Sequence, residues 1–484
     1  MQKRVLPLLL ISLLLLIGCA TYAPQYRPIE ETYRYPKDKS IEKTFYLIGD
    51  AGYSPIGGMS TGLQVFENYL KDKDTEGQFA IFLGDNIYPD GMPPINAPDR
   101  AATEYRLDAQ IAAIQGFEGQ VYFIPGNHDW YNEGLLGLKR QEMYFERRLG
   151  DYNVFQPTNG CPLQSVSVTD NIQLIMIDSQ WYLEDWNVHP TINKDCDIKS
   201  REKFFIELEL ELEKHKNKSI VFAMHHPMFT NGTHGGYFGA EKHLFPTQQN
   251  IPMPGLASLV AQIRAQGGVS VQDRYNELSN KFMNKLANIV KRHGKLVFAS
   301  GHEHTLQHIE EDGLIQIQTG SGAKSGFAAL GKNGLFSYGG QGFAVYDLYT
   351  DGSSYVRYYG ADDQMQPKLL FEKSIFEPKK DYSFNTNSQA YPERVQVPIY
   401  TPDSIVEAQF FKTIWGRKYR DVYAKPISAE VAILDSMYGG LRVIRDNNTD
   451  DYKSLLLADP AGNLYNMRAL QKQALRYVNE IGEL

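Results

Sequence analysis

Asp50, Asp85, Tyr88, Asn127, His128, His225, His302 and His304 all stand at or just past the end of a short apolar run: TFYLIGD, FAIFLGDNIY, VYFIPGNHD, SIVFAMHH and KLVFASGHEH. Carboxylates, an amide oxygen, a phenol and imidazoles are the hard oxygen and borderline nitrogen donors that gather around iron, manganese or zinc. A single histidine in such a place is usually a structural residue satisfied by its neighbours. Successive runs that each end in a metal-competent donor argue instead for strand ends that converge on the edge of one sheet. No Ser or Cys is placed to act as a covalent nucleophile.

The elements that must position these residues can be read from the same runs. Together with IQLIMID they are β-rich and apolar on both faces, as strands buried within a sheet are. Between them Gly62–Lys73, Glu104–Gln115 and Tyr275–His293 read as helices. The stretch Arg201–His215 is ambiguous: Ile206, Leu208, Leu210 and Leu212 alternate as in a strand, while its Glu, Leu and Lys content favours a helix with Phe205, Leu208 and Leu212 on one face. The helix is the preferred reading. Strands alternating with helices, then LIQIQTG, FAVYDLY and SYVRYYG, predict an α/β fold of two packed mixed β-sheets flanked by helices. The connection Phe245–Asn280 is long and carries Pro246, Pro252, Pro254, Gly255, Gly267 and Gly268, as lids and substrate walls beside chemistry often do.

GDAG at Gly49–Gly52, GDNIY at Gly84–Tyr88, GNHD at Gly126–Asp129, MHHP at Met224–Pro227 and GHEH at Gly301–His304 resemble the five ordered motifs of the calcineurin-like metallophosphoesterases, over about Ile41–Asp362. The purple acid phosphatase branch, including its tartrate-resistant type, is the closer match, because Gly52 stands where ordinary members have a ligand His and Tyr88 follows Asp85 by three residues. The resemblance implies a four-layer sandwich and a dinuclear metal centre. Asp50, Tyr88 and His304 would hold the first metal, as Fe(III), since a phenolate favours the higher oxidation state. Asn127, His225 and His302 would hold a divalent second metal, iron, zinc or manganese, and Asp85 would bridge the two at roughly 3.5 Å separation. His128 and His234, the latter nine residues after His225 (234 − 225), would serve the phosphate and the leaving oxygen as catalytic histidines. His226 is the alternative to His234, and Asp129 and His308 are candidates to orient a metal-bound imidazole. The implied substrate is a phosphate monoester hydrolysed as by an acid phosphatase. A phosphodiesterase on the same metals, or an envelope scaffold that uses the core for docking, are the competing functions.

The ends of the chain suggest where such an enzyme works. Lys3 and Arg4 precede the apolar run Val5–Ile17, which is too short to span comfortably, and Leu16-Ile17-Gly18-Cys19 resembles a bacterial lipobox. Residues 1–18 are thus expected to be a lipoprotein signal peptide, with Cys19 acylated at about 0.8 kcal/mol per buried methylene. Ala20 in place of the Asp that retains such proteins on the inner membrane points to the outer membrane of the cell envelope. In that oxidising compartment Cys161 and Cys196 are expected to pair, two unpaired thiols being the alternative. The stretch 19–40, rich in Tyr, Pro and charge, reads as a tether, and 41–372 as the catalytic domain. Residues 373–400 read as a linker and 401–484 as a small α+β C-terminal domain, cut short at a helical run and a candidate to bind an envelope partner. A formal net charge of −8 argues against a nucleic-acid groove.

Overall fold

The computed structural model describes residues 20–28, 35–245, 251–267 and 270–378, together with short strands at 394–395, 442–444, 456–458 and 464–466. The chain divides into two compact units, Met1–Pro378 and Lys379–Leu484.

Two sheets form the first unit. The eight-stranded one contains β1 (Gln25–Tyr26), β5 (Leu163–Ser167), β6 (Ile172–Ile177), β7 (Ser219–Met224), β8 (Leu296–Ser300), β9 (Leu306–Glu311), β10 (Leu314–Thr319) and β11 (Gly334–Tyr338), in the order β1-β11-β9-β10-β8-β7-β6-β5. The six-stranded one contains β2 (Ile41–Ile48), β3 (Phe79–Phe82), β4 (Gln120–Phe123), β12 (Gly342–Tyr349), β13 (Ser354–Ala361) and β14 (Pro367–Phe376), in the order β14-β13-β12-β2-β3-β4. Both are mixed: β2, β3 and β4 run parallel, as do β6, β7, β8 and β10, while the remaining pairings are antiparallel.

Successive side chains of a strand point to opposite faces, and along β2 this sorts the layers. Phe45 and Leu47 enter a core with Ile81, Met176, Val221 and Val297, a cluster drawn from strands and strand ends of both sheets. Tyr46 and Ile48 face the other way, into a cluster that includes Phe66, Leu107, Leu208 and Phe282 of the flanking helices. The order of layers is therefore helix, sheet, sheet, helix. The ambiguous stretch is helical over Arg201–Lys214: Phe204, Phe205, Leu208 and Leu212 are buried, Ile206 and Leu210 are exposed, and the Ser200 side chain accepts the Lys203 N–H as N-cap.

Two expectations about boundaries need correction. The expected tether contributes β1, which pairs with β11, and Arg27 donates to the carbonyl oxygens of Gly334 and Gly331 at 2.8 and 2.9 Å. Such an edge strand is held by backbone hydrogen bonds and needs no apolar period to reveal it. The expected linker from 373 begins inside β14, whose Lys373 pairs with Val356 of β13. The long connection after Phe245 contains a helix, Pro254–Ala265.

Cys161 and Cys196 are joined by a disulfide with their Cα atoms 5.4 Å apart. Among the described residues no helix is long and apolar enough to cross a membrane. In the second unit, strands at Arg394–Val395, Arg442–Ile444, Leu456–Ala458 and Leu464–Asn466 form one antiparallel sheet. The signal-peptide residues, Cys19 and the C-terminal helical run lie outside the described residues.

Candidate metal centre

Every expected ligand follows the C-terminal end of a parallel strand: Asp50 after β2, Asp85 and Tyr88 after β3, Asn127 after β4, His225 after β7, and His302 and His304 after β8. Since β2, β3 and β4 lie in one sheet and β7 and β8 in the other, the site straddles the edges of two facing sheets. The single sheet edge expected from the sequence is corrected accordingly. Closing two edges on one point leaves little room. A Cβ on Gly84 would stand 2.6 Å from His225 Nδ1, and one on Gly301 would stand 2.6 Å from Asp50 Oδ2, which explains the glycine in each of these motifs. Asp50, Asp85 and His302 take positive φ of 55°, 54° and 71°, a strained backbone for non-glycine residues that aims their side chains at one another.

The donors fall into two groups joined by Asp85. In the first, the Tyr88 hydroxyl lies 2.7 Å from Asp50 Oδ1, 2.8 Å from Asp85 Oδ2 and 3.1 Å from His304 Nε2. In the second, Asn127 Oδ1 lies 3.0 Å from both His225 Nε2 and His302 Nδ1, and Asp85 Oδ1 is 3.3 Å from His225 Nε2. The two oxygens of one carboxylate thus face different groups. The remaining ring nitrogens are engaged by carbonyls: His225 Nδ1 is 2.8 Å from the Leu83 oxygen, and His302 Nε2 is 3.1 Å from the Gln272 oxygen. These bonds put the N–H on the outer nitrogen of each ring and turn a lone pair inward, toward the Asn127 oxygen. Three lone-pair donors meeting in a buried place fit a cation, as does the approach of Asp50, Asp85 and His225 ligand atoms within 4.8 Å of one another.

The electrostatics agree. Burial opposes charge on Asp85, but His225 and the contacts from His128 outweigh it and hold the carboxyl well below its ordinary range. Burial also opposes charge on His225, yet Asp85 and Asp50 raise it to about 9, so that without a metal a second proton takes the place of a cation on the inward nitrogen. Burial, then Asp50 and Asp85, push the Tyr88 phenol well above its usual value, so its proton leaves readily only in exchange for another cation. His302 is driven well down by burial and by its histidine neighbours, which keeps it neutral.

The expected catalytic histidines flank these groups. The His128 ring packs 4.4 Å from that of Tyr88, its Nδ1 contacts the Pro89 oxygen, and its backbone N–H donates to Asp85 Oδ1 at 2.9 Å. The His234 ring lies 4.2 Å from that of His302, with Nδ1 3.0 Å from Asp273 Oδ1. His226, the alternative, is buried between Ser179 Oγ and Gln272 Oε1. The two candidate orienting residues do something else. Asp129 accepts the backbone N–H groups of Gly126, Asn86 and Ile87, tying the loops after β3 and β4 together, and His308 in β9 contacts Tyr358 and Glu310.

Sequence reasoning missed several residues around the site. Glu303, within GHEH, is buried and accepts the N–H groups of Thr233 and His234, each at 2.9 Å, and so ties the His234 loop to the loop that carries two expected ligands. Its place between two expected ligands was the available signal. Gln272 and Asp273 lie in the long connection flagged as a substrate wall. Lys324, with Nζ 3.8 Å from the centre of the Tyr88 ring, carried no sequence signal.

A model of the calcineurin-like phosphoesterase family matches residues 43–306. The chain is 20% identical over 359 residues to purple acid phosphatase 7 of Arabidopsis thaliana, spanning 71% of this chain and 91% of that one. Among solved structures it is similar to GAP50, the anchor in the inner membrane complex of Plasmodium, at 18% identity and a TM-score of 0.42 over 70% of this chain and 91% of that one. A purple acid phosphatase from yellow lupin (Lupinus luteus) seeds is similar at 13% identity and a TM-score of 0.44, over 70% of this chain and 55% of that one.

Proposed function

The chain belongs to the calcineurin-like phosphoesterase family, and we propose that it hydrolyses phosphate monoesters at a dinuclear centre of the purple acid phosphatase kind. The observation that carries this reading is the division of Asp85 between two donor groups, one of which contains the Tyr88 hydroxyl. Asp50, Tyr88 and His304 suit Fe(III), and Asn127, His225 and His302 suit a divalent iron, zinc or manganese ion. When bound, such a pair supplies Lewis-acid polarisation of a phosphate ester and an activated water at or below neutral pH. The chain's own side chains then handle protons and charge. His128, with Nδ1 turned to the Pro89 oxygen, keeps Nε2 available to protonate the departing alkoxide, and His234, oriented by Asp273, adds positive character beside the transferring phosphoryl group. The products are an alcohol and inorganic phosphate.

Tyr88 supplies the test. A tyrosinate bound to ferric iron absorbs visible light by charge transfer, so the oxidised protein is expected to be violet to pink. Tyr88→Phe keeps the ring and removes only the ligand oxygen, so the fold survives and the colour disappears. A wild-type preparation containing iron and a second metal but lacking a visible band when oxidised would refute the tyrosinate assignment.

The same proposal extends to location: the mature protein is held at the bacterial envelope, on the outer membrane, by acyl groups on Cys19. Support comes from the lipobox-like residues ahead of Cys19 and from the Cys161–Cys196 disulfide, a feature of oxidising compartments.

A further inference from the structure

The helix Pro254–Ala265 is packed inside out. Its small residues Ala257 and Ala261 are 0% and 5% exposed, while Leu256, Leu259, Val260 and Ile263 are 51%, 53%, 37% and 44% exposed. Positions i, i+3, i+4 and i+7 share one face of a helix, so these large aliphatic side chains form a single stripe turned away from the fold. Ile251, Met253 and Leu244 beside it are exposed as well. Contiguous apolar surface of this kind marks a binding face.

Where the N-terminal segment enters the fold names the occupant. Thr21 and Ala328 exchange backbone hydrogen bonds of 2.8 and 3.1 Å, and Ala328 bridges Gly232 as well. The Tyr22 ring lies 4.2 Å from that of Phe327, and Phe327 packs so closely on Gly239 that a Cβ there would come within 2.9 Å of its ring. Gly239 caps the helix Ala240–Leu244, which packs against the helix Pro254–Ala265. From the other end, a Cβ on Gly236 would stand 2.9 Å from Ala265. The entry point of the chain and the apolar stripe are therefore both mounted on the loop 232–239. Ala20 is buried in the fold, and Cys19 is the residue that precedes it in the chain. An anchor there has no slack to hold the protein away from its membrane.

We propose that the stripe Leu256–Leu259–Val260–Ile263 seats in the lipid bilayer that carries acylated Cys19, so that the protein lies on the membrane surface instead of hanging from it. The inference rests on the lipoprotein reading of Cys19 given above. A bilayer is favoured over a protein occupant because the anchor holds it beside the stripe permanently.

The test places an environment-sensitive dye on Leu259→Cys in the full acylated chain, reconstituted in phosphatidylethanolamine and phosphatidylglycerol vesicles whose acyl chains carry bromine. Leu210→Cys, on the exposed side of the helix Arg201–Lys214, serves as the reference. The dye at 259 is expected to shift to the blue and to be quenched by brominated lipid, while the dye at 210 is not, with hydrolysis of an aryl phosphate unchanged in both. A dye at 259 that stays in water, in protein whose N-terminal peptide has the mass of an acylated Cys19, overturns the proposal. A blue shift that needs no vesicles and grows with protein concentration also overturns it, in favour of a second copy of the chain. Should that mass show no acylation, the anchor reading fails by itself, and the dye still decides the stripe: quenching by added vesicles sustains membrane seating, and its absence refutes it.

Discussion

Asp85 is the residue on which both halves of the proposed centre depend, since Oδ2 faces Tyr88 and Oδ1 faces His225. Asp85→Asn replaces one ligand oxygen by an amide nitrogen that carries protons, so one half loses its shared donor. Most hydrolysis of an aryl phosphate is expected to disappear and the metal content to fall, as metal analysis beside turnover will show. His128 makes the contrast. Its side chain belongs to neither donor group, and its link to Asp85 is a backbone N–H that alanine retains. His128→Ala is therefore expected to keep both metals and lose roughly 10²-fold in turnover, the usual scale for a positioned acid. Loss of metal in that variant would place His128 among the ligands.

At the scale of elements, a buried acid on the helix Leu135–Leu149 makes the stability depend on pH. Both oxygens of Glu142 accept the Asn159 N–H at 2.9 Å and so fix that residue in a left-handed turn at φ 60°. Burial raises the carboxyl to about 7, and the Asn159 bond recovers only part of the shift. In the unfolded chain such a group titrates near about 4.3. Between roughly pH 4.5 and 7 the unfolded state has released a proton that the folded state keeps, so this group's contribution falls as pH rises through that window and levels off above it. Glu142→Gln keeps a carbonyl oxygen for the Asn159 N–H and removes the ionisation. Urea midpoints at pH 5 and pH 7.5 are expected to differ less in the variant than in the wild type, by on the order of 2 kcal/mol in stability. Identical pH dependence in the two proteins would mean that Glu142 ionises normally.

For the whole molecule, the proposed attachment is separable from the proposed catalysis. The proposed acylation of Cys19 by more than one chain would give near-permanent anchoring, whereas an apolar helix face alone would give reversible binding. Cys19→Ala is expected to move the protein from the membrane fraction into the soluble envelope or to leave the signal peptide uncleaved, with no change in turnover for whatever mature protein is recovered. Mature, membrane-bound protein in that variant would put the anchor elsewhere.

The candidate donors were legible in the sequence because donor chemistry is a property of residue type, and because buried strands announce themselves as apolar runs whose ends lie in view. TFYLIGD through KLVFASGHEH thus specified Asp50, Asp85, Tyr88, Asn127, His225, His302 and His304, and the helix content of Arg201–Lys214 outweighed its alternating leucines. Only the tertiary structure decided that these ends come from two sheets. Nothing in a strand's own sequence states which sheet it will join; that follows from pairings between distant segments such as β7 with β8 and β2 with β12. For the same reason the contacts of Glu303, Asp273 and Lys324 could not be read, since each acts through a partner tens or hundreds of residues away, although Glu303 and Asp273 lie in segments the sequence had marked. The segment at Gln25–Tyr26 looked like a tether because a strand held by main-chain hydrogen bonds to β11 leaves no mark on side-chain composition.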